Sequence, residues 1–256
     1  MRTLAGRAQP WLLGLGGLAA TFLLWWAALA LFAPAEGLAR LFSPQATLLS
    51  LVELLGRGEL YEHVWVSLLR ILVGLGVALL VGVPLGLLVG SFRRLEWATT
   101  PAFQFLRMIS PLSWMPIAVM VMGVGDQPIY FLLAFAAVWP ILLNTAAGVK
   151  QLDPRWLQLG RSLSATGWEQ LSRIVIPGVL GHVLTGIRLA IGILWIVLVP
   201  CEMLGVSAGL GYFILDTRDR LAYSELMAMV LLIGVLGFML DALARGLYAA
   251  WRHGAP

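Results

Sequence analysis

QLGRSLSATGWEQLSRIVIP, Gln158 to Pro177, is a polar, helix-forming stretch in a chain that is otherwise almost wholly apolar. Just upstream, Asp153-Pro154 has the chemistry of a helix start: the carboxylate can accept from free N–H groups of the first turn, and proline lacks only a donor that has no partner there. The pattern predicts a short helix over 154–164, with Trp156, Leu157, Leu159, Gly160 and Leu163 on an uneven apolar face and Arg155, Gln158 and Arg161 elsewhere. Thr166-Gly167-Trp168-Glu169 reads as a capping box, in which the Thr166 hydroxyl takes the Glu169 N–H and the Glu169 carboxylate takes the Thr166 N–H. A second helix should follow at an angle, carrying Trp168, Leu171, Ile174 and Val175 on one side, and Pro177 should stop it. Two short helices of this kind between apolar runs fit an interfacial amphipathic pair or a docking element for another protein.

The surroundings settle the class. Of 256 residues, 60% are hydrophobic and only 12% charged, which leaves too little polar surface for a soluble domain. The expectation is an all-α polytopic membrane protein. A net charge of +4 from 17 basic residues does not point to nucleic acid, because the basic residues are scattered among the apolar runs. The single cysteine, Cys201, excludes an intrachain disulfide and reads as a buried small side chain. His63, His182 and His253 are too dispersed for a metal site. No catalytic or metal-ligating residue is expected, and no cofactor in this chain.

Six spans are expected, at about 11–32, 63–92, 97–122, 129–149, 184–204 and 223–248, with a polar loop over 150–183. The first could be mistaken for a cleavable signal, since Ala33-Pro34-Ala35 mimics a cleavage site, but its uncharged run exceeds the roughly 7–15 residues of a signal core. Between the first two spans, 46–55 reads as a short in-plane helix ended by Gly56-Arg57-Gly58. Pro101, Pro111 and Pro116 make a straight third span improbable. With the N-terminus inside, the inner segments hold ten basic residues, Arg2, Arg7, Arg93, Arg94 and Lys150 among them, against four outside, Arg40, Arg57, Arg218 and Arg220. Both termini and the 150–183 loop are therefore expected in the cytoplasm.

The loop resembles the cytoplasmic coupling loop of ABC importer permeases, whose pattern is Glu-Ala-Ala, three residues, Gly, nine residues, Ile, one residue, Leu-Pro. Gln158, Leu159 and Gly160 stand at the Glu-Ala-Ala positions, Ser164 at the glycine, and Ile174, Ile176 and Pro177 at the end. Further stretches are similar, in the same order, to the permeases of nitrate, sulfonate and taurine importers: FSP at 42–44, GELYEHVWVSLLR at 58–70, GVPLGLLVG at 82–90, LRMISPLSWMPIA at 106–118, WPILLNTAAGV at 139–149, TGIRLAIGILW at 185–195 and EMLGVSAGLGYFI at 202–214. Cys201 replaces a residue that is usually small. The resemblance implies a type I importer in a bacterial inner membrane. Its partners would be a second permease copy, most simply an identical one, two cytoplasmic ATPase subunits that bind ATP and Mg, and an external binding protein that delivers a small anion. The sequence has no GxxxxGK[ST] phosphate loop of its own, so the energy has to come from other chains.

On this resemblance Gln158, Leu159, Gly160, Arg161, Leu163, Ser164, Ala165 and Gly167 would engage the ATPase, Leu159 and Leu163 entering a cleft and Gln158, Arg161 and Ser164 bonding its rim. Candidates for the translocation path or a gate are Arg107, Ser110, Ser113, Trp114, Asn144, Glu202 and Met203. A charge in a span needs a partner or an aqueous path. Arg107 and Glu202 either form a structural pair or gate, the preferred reading, or Arg107 lends positive potential to an anion path. Ser110, Ser113, Trp114 and Asn144 either line the path or join helices. Arg70 and Arg188 read as snorkelling anchors. The glycine-rich link at 205–222 is a candidate docking scaffold for the binding protein, with Tyr212, Phe213 and Ile214 returning to the interface. Two rivals belong to other classes. An ion-gradient-driven transporter would show inverted repeats and paired acidic groups at mid-membrane, and an intramembrane enzyme would need a catalytic dyad or metal cluster; neither pattern is evident in the sequence.

Overall fold

The computed structural model describes residues 5–32 and 41–254. Arg2, Ala33-Pro34-Ala35 and Arg40, used in the sequence argument, lie outside the described residues. The described chain is helical throughout: α1 Ala5–Phe32, α2 Pro44–Leu55, α3 Gly58–Ser91, α4 Arg93–Met108, α5 Met115–Met122, α6 Asp126–Gln151, α7 Pro154–Ser162, α8 Gly167–Gln170, α9 Ile176–Glu202, α10 Leu210–Asp219 and α11 Tyr223–Gly254. Four of these paths are long and apolar enough to cross a membrane: Gly58–Ser91, Asp126–Gln151, Gly167–Glu202 and the Tyr223–Gly246 part of α11. A fifth is the pair Arg93–Met108 and Pro111–Met122, bent by 85°, and α1 contributes the shorter apolar stretch Gly16–Leu31. The kink expected from Pro101, Pro111 and Pro116 is thus concentrated at one place, a 3-10 turn over Pro111–Trp114.

The chain divides into two units. The first comprises described residues of Met1–Tyr61 together with Phe213–Leu232. Here α2 starts earlier than expected, at Pro44, because the Ser43 hydroxyl accepts from Ala46 N–H and proline suits the first helical position. Arg57 pairs with Glu225 at 3.0 Å, Arg220 pairs with Asp216 at 2.7 Å, and the Phe42 and Tyr223 rings meet at 5.5 Å. The 205–222 link is not a bare loop, since α10 occupies Leu210–Asp219, and Phe213 is buried.

The second unit, Glu62–Tyr212 with Ile233–Pro256, holds the core, built from Ile71 and Ala78 of α3, Leu132, Leu133, Ala137 and Ile141 of α6, and Ala190, Leu194, Leu198 and Cys201 of α9. Small residues set its geometry. A Cβ added at Gly74 would come within 2.6 Å of Leu133, at Gly82 within 3.0 Å of Ile141, at Gly86 within 2.6 Å of Thr145 and at Gly90 within 2.7 Å of Val149. Each contact joins residues 59 apart (74 with 133, 82 with 141, 86 with 145, 90 with 149), so α3 and α6 run in the same direction, backbone close to backbone along a stripe of four-residue period. Parallel neighbours oblige the chain between them to return along their full length, and α4 with α5 makes that return. By contrast α9 runs against α6: Gly148 meets His182, and Gly186 meets Ile141 and Asn144. On its other side α9 holds α11 through Trp195, whose indole N–H donates to Ile233 O at 2.9 Å and whose ring fills the space left by Gly237.

Candidate functional site

Three features of the second unit concentrate polar chemistry. The first is the segment between α6 and α9. Asp153 caps α7 by accepting from Arg155 N–H at 2.9 Å, as its sequence predicts. The helix ends two residues sooner than expected, at Ser162, because Ser164 enters the left-handed region with φ 57°. Ser164 N–H then donates to Arg161 O and Ala165 N–H to Gly160 O, at 3.0 and 2.9 Å, the paired bonds of a Schellman ending. Both capping-box bonds form next, Thr166 N–H to Glu169 at 2.8 Å and Glu169 N–H to Thr166 Oγ1 at 3.3 Å.

Pro177 does not stop the second helix. Residues Leu171–Val175 form a π turn, and α9 continues from Ile176 without a break. The widened turn takes the strain that a proline ring otherwise places on the preceding carbonyls, so Pro177 sits in the first turn of α9. Gly160 is buried against Ile174 and Gln170, which folds α7 back on this turn. Gln158, Leu159, Arg161, Leu163 and Ser164 remain exposed, as do Trp156 and Trp168.

The second feature lies at the opposite end of α6 and α9. Glu202, fully buried at the last residue of α9, accepts from Arg70 Nη1 at 2.7 Å, from Ser67 Oγ at 2.7 Å and from Gly211 N–H at 2.9 Å. Arg70 also donates through Nε and Nη2 to Asp126, at 2.9 and 2.6 Å, and through Nη1 to Ala208 O at 2.7 Å. Gly209 N–H donates to His63 Nδ1 and Leu210 N–H to Ser67 Oγ. The connection after α9 closes over this cluster only because its glycines lack side chains. Gly209 has φ 119°, and a Cβ there would lie 2.5 Å from both Arg70 and Glu202; one at Gly211 would lie 2.3 Å from Val199 O.

The third feature is a cavity of about 410 Å³ beside the bend of α4 and α5. Arg107, Pro111, Phe135, Trp139, Asn144 and Ile193 contribute to its walls. Asn144 spends one amide N–H on Pro140 O at 2.7 Å. Among the described residues Arg107 has no ion pair.

The profile of the family described as binding-protein-dependent transport system inner membrane component matches residues 82–253. The chain belongs to this family. It is 37% identical over 187 residues to the bicarbonate transport system permease protein CmpB of Synechococcus elongatus, covering 72% of this chain and 65% of that one. It is 34% identical to the nitrate import permease protein NrtB of Synechocystis sp., covering 70% and 65%, and 30% identical to the putative aliphatic sulfonates transport permease protein SsuC of Bacillus subtilis, covering 79% and 74%. The chain thus spans just under two thirds of the length of the bicarbonate and nitrate relatives. Among solved structures, a chain of the MetNI methionine ABC transporter matches with a TM-score of 0.61 at 14% identity, covering 75% of this chain and 95% of that one. That likeness carries the type I importer permease fold.

In this inner membrane component the expected path residues separate. Arg107 and Asn144 share the cavity with Pro111, whereas Ser110 and Ser113 are exposed outside its lining. Trp114 packs on Phe135 with ring centroids 5.7 Å apart. Glu202 is not the partner of Arg107; it is enclosed by Arg70, and Met203 caps the end of α9 next to it. Nor is Arg70 a snorkelling anchor, because it is 3% exposed and every guanidinium nitrogen is bonded. Arg188 pairs with Asp241 at 3.4 Å on a half-exposed surface. Sequence reasoning missed Ser67 and Asp126 altogether. The available signal was the charge of Arg70 at the head of a long uncharged run, which demands a buried acid somewhere else.

Proposed function

We propose that this chain is the transmembrane permease subunit of an ATP-driven ABC importer, pairing with a second, most simply identical, copy to form the path of a small anion delivered by an external binding protein. Two ATPase subunits, which hold the ATP and Mg, grip the α7–α8 segment from the cytoplasm, where both termini also lie. The chain itself catalyses no reaction and holds no cofactor. One observation carries this reading: α7 and α8 are capped at both junctions yet present Trp156, Leu159, Leu163 and Trp168 outward, exposed by 59, 51, 74 and 73%. Rigidly held apolar side chains on a polar connection are the surface of a helix that docks in a groove. Leu159 and Leu163 enter the ATPase cleft, Gln158, Arg161 and Ser164 bond its rim, and Gly160, Ala165 and Gly167 set the turn that presents them.

The test is co-expression with candidate ABC ATPase and binding-protein subunits drawn from its genomic neighbourhood, followed by ATPase assays in nanodiscs. ATP hydrolysis stimulated jointly by the binding protein and one anion is expected, and Leu159→Glu should release the ATPase from the purified complex. Undiminished ATPase retention in Leu159→Glu and Leu163→Glu would sink the coupling assignment.

A further inference from the structure

The cavity beside Arg107 is built for one kind of anion. Its walls are largely aromatic and aliphatic: Phe135 and Trp139 meet edge to face at 5.6 Å, Phe103 closes on Trp139 at 5.7 Å, and Leu189 and Ile193 of α9 stand in the same lining. Against that surface stands one guanidinium, Arg107, and one amide, Asn144, already partly engaged by Pro140 O. Trp139 contributes its ring to this lining and is itself only 8% exposed.

Size and solvation choose between ligands. A volume of about 410 Å³ falls within the roughly 300–1,000 Å³ typical of small-molecule sites, and far exceeds the roughly 30 Å³ share of one water. An inorganic ion of a few atoms, set against these apolar walls, would find only Arg107 and the second amide N–H of Asn144 as polar partners and forfeit much of its hydration. A molecule with an anionic head and an apolar body uses both halves: the head on Arg107, the body between Phe135, Trp139 and Ile193. We infer that this cavity binds an organic anion, a sulfonate or carboxylate on a ring or short alkyl body, in preference to nitrate or bicarbonate. The relatives' names include both kinds of solute and leave the choice open. This inference rests on the permease reading above.

The experiment measures equilibrium dialysis of radiolabelled 4-methylbenzenesulfonate and butanesulfonate on the purified permease–ATPase complex in nanodiscs, with ATPase retention and basal ATP hydrolysis recorded on the same sample. Saturable binding of at least one sulfonate is expected, uncompeted by equimolar nitrate or bicarbonate. Arg107→Ala should weaken it at least about tenfold and Arg107→Lys less, as loss of charge-assisted bonds requires. Ile193→Trp, a change at a partly exposed position that fills the cavity, should abolish binding while the complex stays assembled. Competition by nitrate or bicarbonate at equal concentration, full binding in Arg107→Ala and Ile193→Trp, or no saturable sulfonate binding would each overturn the inference. A complex that hydrolyses ATP but binds neither sulfonate defeats this inference alone, whereas a chain that retains no ATPase defeats the permease reading.

Discussion

Arg70 Nη1 lies 2.7 Å from Glu202 Oε1, joining α3 to the last residue of α9 with both side chains buried. An ion pair out of water is stable only when its remaining lone pairs and protons are also bonded. Here Ser67 and Gly211 complete the carboxylate, and Asp126 and Ala208 O complete the guanidinium. The cluster therefore fixes three helix ends and the connection after α9 in a single arrangement.

Removing one partner should leave an uncompensated buried charge, at a cost of about 3–5 kcal/mol. Glu202→Gln and Arg70→Met are expected to lower the detergent melting temperature sharply and reduce the monodisperse yield. Arg188→Met, which breaks a half-exposed pair with Asp241, should change stability by no more than about 1 kcal/mol. Equal effects at Arg70 and Arg188, read by size-exclusion thermal melts, would show that the buried cluster is not what holds this end together.

Ser164 sits at φ 57°, where a side chain costs roughly 1–2 kcal/mol and glycine costs little. The coupling-loop pattern places glycine there, and the structure supplies the reason: this is the left-handed residue of the Schellman ending of α7. Ser164→Gly is expected to slow hydrogen exchange of the Ala165 amide roughly fivefold, the equivalent of about 1 kcal/mol, and Ser164→Val to accelerate it. Unchanged protection in both variants would contradict the strain argument.

The glycine stripe of α3 makes a paired prediction. A Cβ at Gly86 would lie 2.6 Å from Thr145 and 2.7 Å from Leu142 O, against backbone that cannot swing aside, while one at Gly76 meets nothing within 4 Å. Gly86→Ala should destabilise by about 1–3 kcal/mol through overpacking. Gly76→Ala, ten residues earlier on the same helix, should be neutral or mildly stabilising. Thermal melts of the two purified variants decide it, and a tolerated Gly86→Ala would mean that α3 and α6 are free to move apart.

Local chemistry was the most legible part of the sequence. Asp153-Pro154 and the Thr166–Glu169 box act over three residues or fewer, and both formed as expected. The bend near Pro111 was legible because proline excludes a straight path. Pro177 misled for the complementary reason: a π turn five residues long absorbs it, and no residue type in LSRIV announces that turn. The partner of Glu202 was illegible because choosing Arg70 over Arg107 needs the register of α3 against α6, which is set by four glycines whose spacing matters only once the facing helix is known. The Arg107 cavity was half legible. Its cation and Asn144 stand out among apolar residues, whereas Phe135, Trp139 and Ile193 look like ordinary core.

The π turn at Leu171–Val175 has a mechanical consequence. Because the helix does not end at Pro177, one unbroken shaft of 36 residues runs from Gly167 to Glu202, roughly 50 Å at 1.5 Å per residue. Its near end is clasped by the Thr166 box and its far end by Arg70 and Ser67. Trp168 and Glu202 thus stand near the two ends of one helical path, whose weak points are the widened turn beside the first and Pro200 beside the second.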